Sequence, residues 1–346
     1  MAFVGMIRSI GRAAPGPAGL AASSMPAADG SILGMVPLLG GVYLGWALGS
    51  NDAANVFGTA VASRMVRFRT AVILASVFVL VGAVIGGAGG MHTLKGLTAG
   101  GDLNSAFIVT LSAAAIVTIM TTLKLPVSTS QGVVGAILGA GLATAPGGVQ
   151  WGVLTKVVVA WVSAPIGAAI IAMAIYPVAG KLLDGLHLSL VRRSQVLKLA
   201  LLISGAYGAY ALGANNVANV VGVFYGSEPF GDNARLWALL GGAAITLGII
   251  TYSKRVMFTV GKSLVQLDAF SALVAVLSQG TTVLILSFVG VPVSTSTAVV
   301  GAVLGIGIIK GVKTINLRTL LRILSGWVST PLLAGLAAYA LAAAFL

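Results

Sequence analysis

Two polar motifs, each present twice, contain the residues of this chain that could do chemistry. The first reads LGSNDAANVFG from Leu48 and returns as LGANNVANVVG from Leu212. The second reads PVSTSQ from Pro126 and returns as PVSTST from Pro292. Amide, carboxylate and hydroxyl groups are costly to place inside apolar sequence, so by default they indicate a functional site. Matched pairs predict one polar site, shared by two halves, that can bind a small ion.

Composition places these motifs in a membrane. The chain has 346 residues, of which 58% are hydrophobic and 8% charged, whereas a soluble domain has about 25% charged residues. Its apolar runs are continuous rather than alternating, which predicts an all-α polytopic membrane protein. The absence of cysteine excludes disulfides, thiolate catalysis and cysteine–zinc sites. Basic residues flank the apolar runs, so the net charge of +13 indicates membrane orientation and not a nucleic-acid partner.

The sequence contains ten candidate spans of about 20 apolar residues, the length that crosses a bilayer. They are 31–50, 70–90, 105–123, 126–145, 151–179, 196–214, 234–253, 269–290, 292–309 and 319–345. Two of them, 126–145 and 292–309, are short, rich in glycine and begin at a proline. We therefore expect these two to be re-entrant or broken rather than full spans.

The chain is internally duplicated. Asp52 aligns with Asn216 at an offset of 164, and Pro126 aligns with Pro292 at an offset of 166. Eleven of fifteen positions are identical between 126–140 and 292–306. Because each half has five candidate spans, an odd number, the second half should be inverted relative to the first. The predicted organisation is a mobile leader (1–30), a first membrane repeat (31–180), a cytoplasmic connecting loop (181–198) and a second, inverted repeat (199–346).

Charge distribution predicts the orientation. The loop 64–69 has three arginines, and alternate loops after it are also basic, whereas the intervening loops have little positive charge. Since cytoplasmic loops carry the excess of Lys and Arg, both termini should lie outside. We expect a multi-pass protein of the bacterial inner (plasma) membrane, surrounded by lipid and able to form a homo-oligomer.

The motifs also predict where ions bind. We expect the helix to break at the first motif, where Gly49 and Gly58 relax the backbone and Asn51 and Asp52 can cap. A break exposes N–H groups that attract an anion and carbonyl groups that ligate a cation. The predicted anion ligands are Ser128, Thr129, Ser130, Ser294, Thr295, Ser296, Asn55 and Asn219. The predicted groups for a coupling cation or proton are Asp52, Asn51, Asn215 and Asn216, with sodium at Asp52, Asn51 and Asn216.

Simpler roles exist for some of these residues. A Ser-Thr-Ser sequence after proline is often only a helix cap. Asparagines such as Asn55 and Asn219 often just bind a neighbouring helix. Asp52 differs because it is the only acid well inside a predicted polar break.

From about residue 35 to 346 the chain resembles the PiT family of inorganic phosphate transporters. That family has two copies of a motif close to GANDVAN and two of a PVSTTH-like sequence; here they read GSNDAAN, GANNVAN, PVSTSQ and PVSTST. The resemblance implies an inverted-repeat symporter that moves phosphate with sodium or protons. It also implies that the Asn, Asp, Ser and Thr residues of the motifs surround the anion and cations, and that no catalytic residue or cofactor is needed.

The chain departs from the family pattern at its acids and histidines. Asn216 stands where the second motif usually has Asp, Gln131 and Thr297 stand where His is usual, and Phe107 and Leu273 replace a glutamate. These features resemble the sulfate permeases of the same superfamily. Phosphate keeps an O–H that needs an acceptor such as a carboxylate, whereas sulfate is fully ionised. Phosphate is the first expectation and sulfate the alternative; an anion channel and an enzyme acting on lipid headgroups are further rivals.

Overall fold

The computed structural model describes residues 35–97, 102–123, 125, 127–145, 147–263, 267–311 and 317–346. The predicted leader, 1–30, lies outside these residues. The described residues form eleven α-helices. They are α1 Leu38–Ala62, α2 Phe68–Gly86, α3 Ala88–Lys95, α4 Leu103–Thr122, α5 Thr129–Thr144, α6 Trp151–Gly185, α7 Leu190–Val221, α8 Ala234–Ser263, α9 Ala269–Phe288, α10 Thr295–Lys310 and α11 Leu317–Phe345.

The predicted all-helical membrane architecture is confirmed. Within the described residues, seven helices are long and apolar enough to cross a bilayer, namely α2, α4, α6, α7, α8, α9 and α11. Helix α1 is not among them because the polar motif lies inside it, and it is instead largely buried by protein. The predicted span 31–50 differs in its bounds: the helix begins at Leu38 and continues to Ala62, and residues 31–34 lie outside the described residues.

Sequence-equivalent helices α1 and α7 lie side by side and run in opposite directions. Gly41, near the start of α1, lies against the Val220 carbonyl near the end of α7. Phe57, near the end of α1, lies against Gly205 in the first half of α7. Two repeats of opposite orientation would bring their first helices together in this way.

Glycines allow each half to approach the other closely. Gly49 of α1 faces the Ile245 carbonyl of α8, and the equivalent Gly213 of α7 faces the Val79 carbonyl of α2. An added Cβ would lie 1.9 Å from the first carbonyl oxygen and 2.0 Å from the second. Small residues permit such contact between membrane helices. The two halves therefore pack through reciprocal contacts rather than as separate units.

The helices α4 and α5 form one hairpin, and α9 and α10 form another. Ser105 at the start of α4 and Thr144 at the end of α5 line the same cavity, so α5 returns to the end where α4 began. The side chain of Lys310 at the end of α10 contacts Asp268, the N-cap of α9. Each hairpin thus enters and leaves the molecule at a single face. The prediction of re-entrant elements at 126–145 and 292–309 agrees with this geometry.

The short helix of each hairpin packs along the last helix of the other half. Gly135 of α5 lies against the Pro331 backbone of α11, and Gly301 of α10 lies against the Pro165 backbone of α6. Both prolines belong to the repeated WVS-x-P sequence, at 161–165 and 327–331. These sequences position the hairpins.

The connection between the halves is shorter than the sequence indicated. Helix α6 continues to Gly185 and α7 begins at Leu190, so 186–189 alone link them. The predicted loop over 181–198 was wrong because its charged residues lie on helices. Arg193 forms an ion pair with Asp184 at 3.0 Å across this turn.

Candidate functional site

The first motif lies on continuous helices, not at a helix break. Asp52 is in the interior of α1, and Asn216 is in the interior of α7. The predicted interruption, with Asn51 and Asp52 as caps, was therefore wrong. Polar residues disfavour a helix interior when they compete for its backbone. The Asp52 and Asn216 side chains instead bond to each other, from one helix to another. Gly49 serves close packing against α8 instead of relaxing the backbone.

Asp52 is the centre of a buried hydrogen-bond network, with 4% of its surface exposed. Its Oδ1 accepts from Asn51 Nδ2 at 2.9 Å and from Asn55 Nδ2 at 3.4 Å. Its Oδ2 accepts from Thr295 Oγ1 at 3.0 Å and from Asn216 Nδ2 at 3.3 Å. Four donors thus converge on one carboxylate from α1, α7 and α10. An ionised carboxylate can accept all four.

The two halves are joined at this network by crossed contacts. Asn55 Nδ2 of α1 donates to Ser296 Oγ of the second half at 3.0 Å. The equivalent Asn219 Nδ2 of α7 donates to Ser130 Oγ of the first half at 2.8 Å. Each asparagine therefore contacts the Ser-Thr-Ser sequence of the opposite half. Ser130 Oγ also donates to the Val293 carbonyl at 2.9 Å, which joins the two hairpin tips.

The first serine of each Ser-Thr-Ser sequence is a helix cap. Ser128 Oγ accepts from Gln131 N, and Ser294 Oγ accepts from Thr297 N. Pro292 precedes the second cap, and Pro126 lies outside the described residues. In the structure, therefore, Ser130, Thr295 and Ser296 bond to the network of the first motif, whereas the Ser128 and Ser294 hydroxyls satisfy their own helices.

Asn215 holds the tip of the second hairpin. Its Nδ2 donates to the Val291 carbonyl at 3.3 Å, and its Oδ1 accepts from Val293 N at 3.0 Å. The backbone of 291–293 is a part of the site that the sequence analysis missed. One signal was available: the residue before a proline is held out of the helical conformation, so the Val291 carbonyl is free to accept from a side chain.

Several buried polar atoms of this region have no hydrogen-bond partner among the described residues. They are Thr129 Oγ1, Gln131 Oε1 and Asn219 Oδ1. Such atoms are rare in proteins and call for an explanation. In the second half, the Thr129 equivalent, Thr295, donates to Asp52, but the Asp52 equivalent is Asn216. The asymmetry of the acids therefore leaves the Thr129 hydroxyl without the acceptor that Thr295 has.

The site brings together two kinds of ion-binding group. Helices α5 and α10 both begin here, and helix N-termini favour anions. The Asp52 carboxylate and the amide oxygens of Asn216 and Asn219 offer the hard oxygen atoms that suit a small cation. No group of three or more His, Cys, Asp or Glu side chains that could hold a metal occurs in the described part of the chain. The arrangement suits reversible ion binding.

Comparison with known proteins identifies the family. Residues 48–195 and 186–338 match the phosphate transporter family. A protein named "Putative phosphate permease" from Methanocaldococcus jannaschii is 32% identical over 84% of this chain and 91% of its own length. One of the same name from Pyrococcus furiosus is 31% identical over 88% of this chain and 94% of its own.

A solved structure has the same fold. It is described as the sodium-dependent phosphate transporter, and it aligns with a TM-score of 0.77 and 24% identity over 89% of this chain and 97% of that one. The family match covers most of the sequence, including both copies of each polar motif. The chain therefore belongs to the phosphate transporter family and is a multi-pass membrane protein.

Proposed function

We propose that this chain is a secondary symporter that moves inorganic phosphate with sodium or protons by alternating access. The single observation that carries the proposal is the meeting of both hairpin tips at Asp52. Thr295 and Ser296 from one tip and Ser130 from the other enter one hydrogen-bond network with the asparagines of the first motif. Relatives named as phosphate permeases support the choice of solute.

Asp52 couples the cation to the anion in this proposal. A sodium ion or proton at Asp52 neutralises the carboxylate, which would otherwise repel a phosphate dianion at short range. Asn216 supplies a neutral amide at the equivalent position of α7, so the site contains one acid instead of two. The cation therefore binds first, or together with the anion.

Phosphate binds between the first turns of α5 and α10. Their backbone N–H groups and the hydroxyls of Thr129, Ser130 and Thr295 are donors for its oxygens. The O–H that phosphate retains near neutral pH needs an acceptor, and Asn219 Oδ1 has no partner among the described residues. Sulfate cannot donate in this way, so the acceptors here favour phosphate.

The test is uptake of labelled phosphate and labelled sulfate into proteoliposomes under separate sodium and pH gradients. We expect saturable phosphate uptake that follows one of the two gradients. Uptake that does not saturate would indicate an anion channel. Saturable uptake of sulfate but not phosphate would assign the chain to the sulfate permeases.

A further inference from the structure

The two re-entrant hairpins are equivalent in sequence but differ at their open ends. At the open end of α4–α5 lies a cavity of about 220 Å³. It is lined by residues that include Lys95, Ser105, Ala106, Ala140 and Thr144. At the open end of α9–α10, the position of Thr144 is occupied by Lys310, whose side chain bridges the hairpin.

Lys310 joins three helices at that end. Its ammonium forms an ion pair with the Asp268 carboxylate, the N-cap of α9. It also donates to Ser271 Oγ at 2.7 Å and lies 5.7 Å from the centre of the Tyr176 ring of α6. Ser271 is fully buried, whereas the equivalent Ser105 on the cavity side is partly exposed.

The two open ends are on opposite faces of the molecule. Helix α6 begins just beyond the end of α5, so its start is at the cavity end. Helix α10 runs parallel to α6, because Gly301 lies against Pro165 and Gly305 against Ala169. Since α10 runs away from the cavity end, Lys310 is at the opposite face.

We propose that Lys310 and Asp268 form a latch that closes one entrance of the transport path while the cavity between α4 and α5 forms the other, open entrance. This inference rests on the proposed transport function. The ion pair suits a latch because it is partly exposed, with 35% of the Lys310 side chain and 54% of the Asp268 side chain accessible. Exposed ion pairs contribute little net stability, so this one can break in each transport cycle.

The test uses cysteine labelling, for which the chain is suited because it has no native cysteine. Ser105→Cys, at a partly exposed position that lines the cavity, reports on the open entrance, and Ala272→Cys, at 1% exposure, reports on the latched end. Each is combined with Lys310→Met, and the protein in lipid nanodiscs is treated with a small water-soluble methanethiosulfonate reagent. We expect Lys310→Met to raise the labelling rate of the Ala272→Cys protein and lower that of the Ser105→Cys protein, each by roughly two- to fivefold.

Three further variants separate a latch from general loss of packing. Lys310→Arg keeps the charge and should leave both rates near those of the unmodified background. Asp268→Asn keeps a capping residue but removes the charge, so it should act like Lys310→Met. Asp102→Asn makes the same change at the N-cap of α4, which the structure places next to the cavity and not at the latch, and should change neither rate.

Unchanged labelling rates at both reporter positions in the Lys310→Met background would overturn the proposal. So would faster labelling at the latched end without slower labelling in the cavity. In that case the ion pair would only hold its local contacts together and would not link the two entrances. Labelling requires no phosphate movement, and uptake by the same variants in proteoliposomes tests transport separately. Failure of the latch and failure of the proposed function therefore give different results.

Discussion

Ser128 and Ser130 are two residues apart, yet the structure gives them different partners. Ser128 Oγ caps α5, whereas Ser130 Oγ accepts from Asn219 and donates to the Val293 carbonyl. Ser294 and Ser296 are divided in the same way between a cap and a contact with Asn55. A helix cap and a contact with the Asp52 network are therefore both present within one short sequence.

The two serines of each Ser-Thr-Ser sequence should respond differently to alanine substitution. Ser130→Ala and Ser296→Ala should raise KM for phosphate roughly two- to tenfold, since each loses a hydrogen bond at the site. Ser128→Ala and Ser294→Ala should instead lower stability by about 1 kcal/mol, the usual value of a cap. Uptake kinetics and thermal unfolding in detergent measure the two effects, and a KM effect confined to the capping serines would refute this division.

Asp52→Asn should reduce gradient-driven phosphate uptake by about tenfold or more. The amide cannot accept all four hydrogen bonds that the carboxylate receives, and it cannot bind a proton or attract a cation as the acid does. Size-exclusion profiles should stay unchanged because the side chains are isosteric. Asp102→Asn, at a helix cap far from the network, is the matched control. Full coupled uptake by Asp52→Asn would remove this acid from the mechanism.

At the scale of helices, close glycine contacts decide how the polar motifs meet. Gly49 is only three residues from Asp52. Its contact with the Ile245 carbonyl fixes the position of α1 along the axis of α8. The equivalent contact of Gly213 fixes α7 against α2. Because helix interiors are rigid, these two contacts set the positions of Asp52 and Asn216 in the network.

Gly49→Ala should therefore destabilise the protein by about 1–3 kcal/mol, the usual cost of overpacking. The added Cβ would meet backbone atoms that cannot move without shifting α8. Gly152→Ala in α6 is the matched control, since nothing lies within 4 Å of its added Cβ. Thermal unfolding should show a lower midpoint for Gly49→Ala and an equal or higher one for Gly152→Ala; equal midpoints for both would contradict the packing argument.

At the scale of the whole molecule, each half completes the other. Helix α5 of the first half packs on α11 of the second, and α10 of the second packs on α6 of the first. The asparagines follow the same exchange, because Asn55 contacts Ser296 and Asn219 contacts Ser130. Neither half alone would contain the whole network, so it forms only when the two halves are packed together.

The charge pattern predicts orientation at this scale. The C-terminus, Leu346, should lie outside the cytoplasm, and His187, between α6 and α7, should lie inside it. An alkaline phosphatase fusion should therefore be active only at Leu346, and a fluorescent-protein fusion only at His187. Arg192 and Arg193 lie next to this turn, and basic residues favour the cytoplasmic side. Alkaline phosphatase and fluorescent-protein fusions at both positions measure this, and activity on the same side for both would refute the topology.

The amino-acid sequence was enough to predict the membrane class, the duplication, the family and nearly all the polar residues that meet at the site. It could do so because apolar length, repeated spacing and motif identity are local properties of the chain. The caps formed by Asp102 and Asp268 are local in the same sense, because each side chain accepts from the backbone N–H three residues further along the chain.

Only the tertiary structure decided that α1 and α7 continue through their polar motifs. A helix tolerates Asp52 and Asn55 when distant groups satisfy them, and the partners here are far away in sequence: Asn216 is 164 residues from Asp52, and Ser296 is 241 from Asn55. The same holds for the separation of caps from site serines and for the contact of Lys310 with Asp268. These features depend on which helices pack together, and no local pattern in the chain encodes that packing.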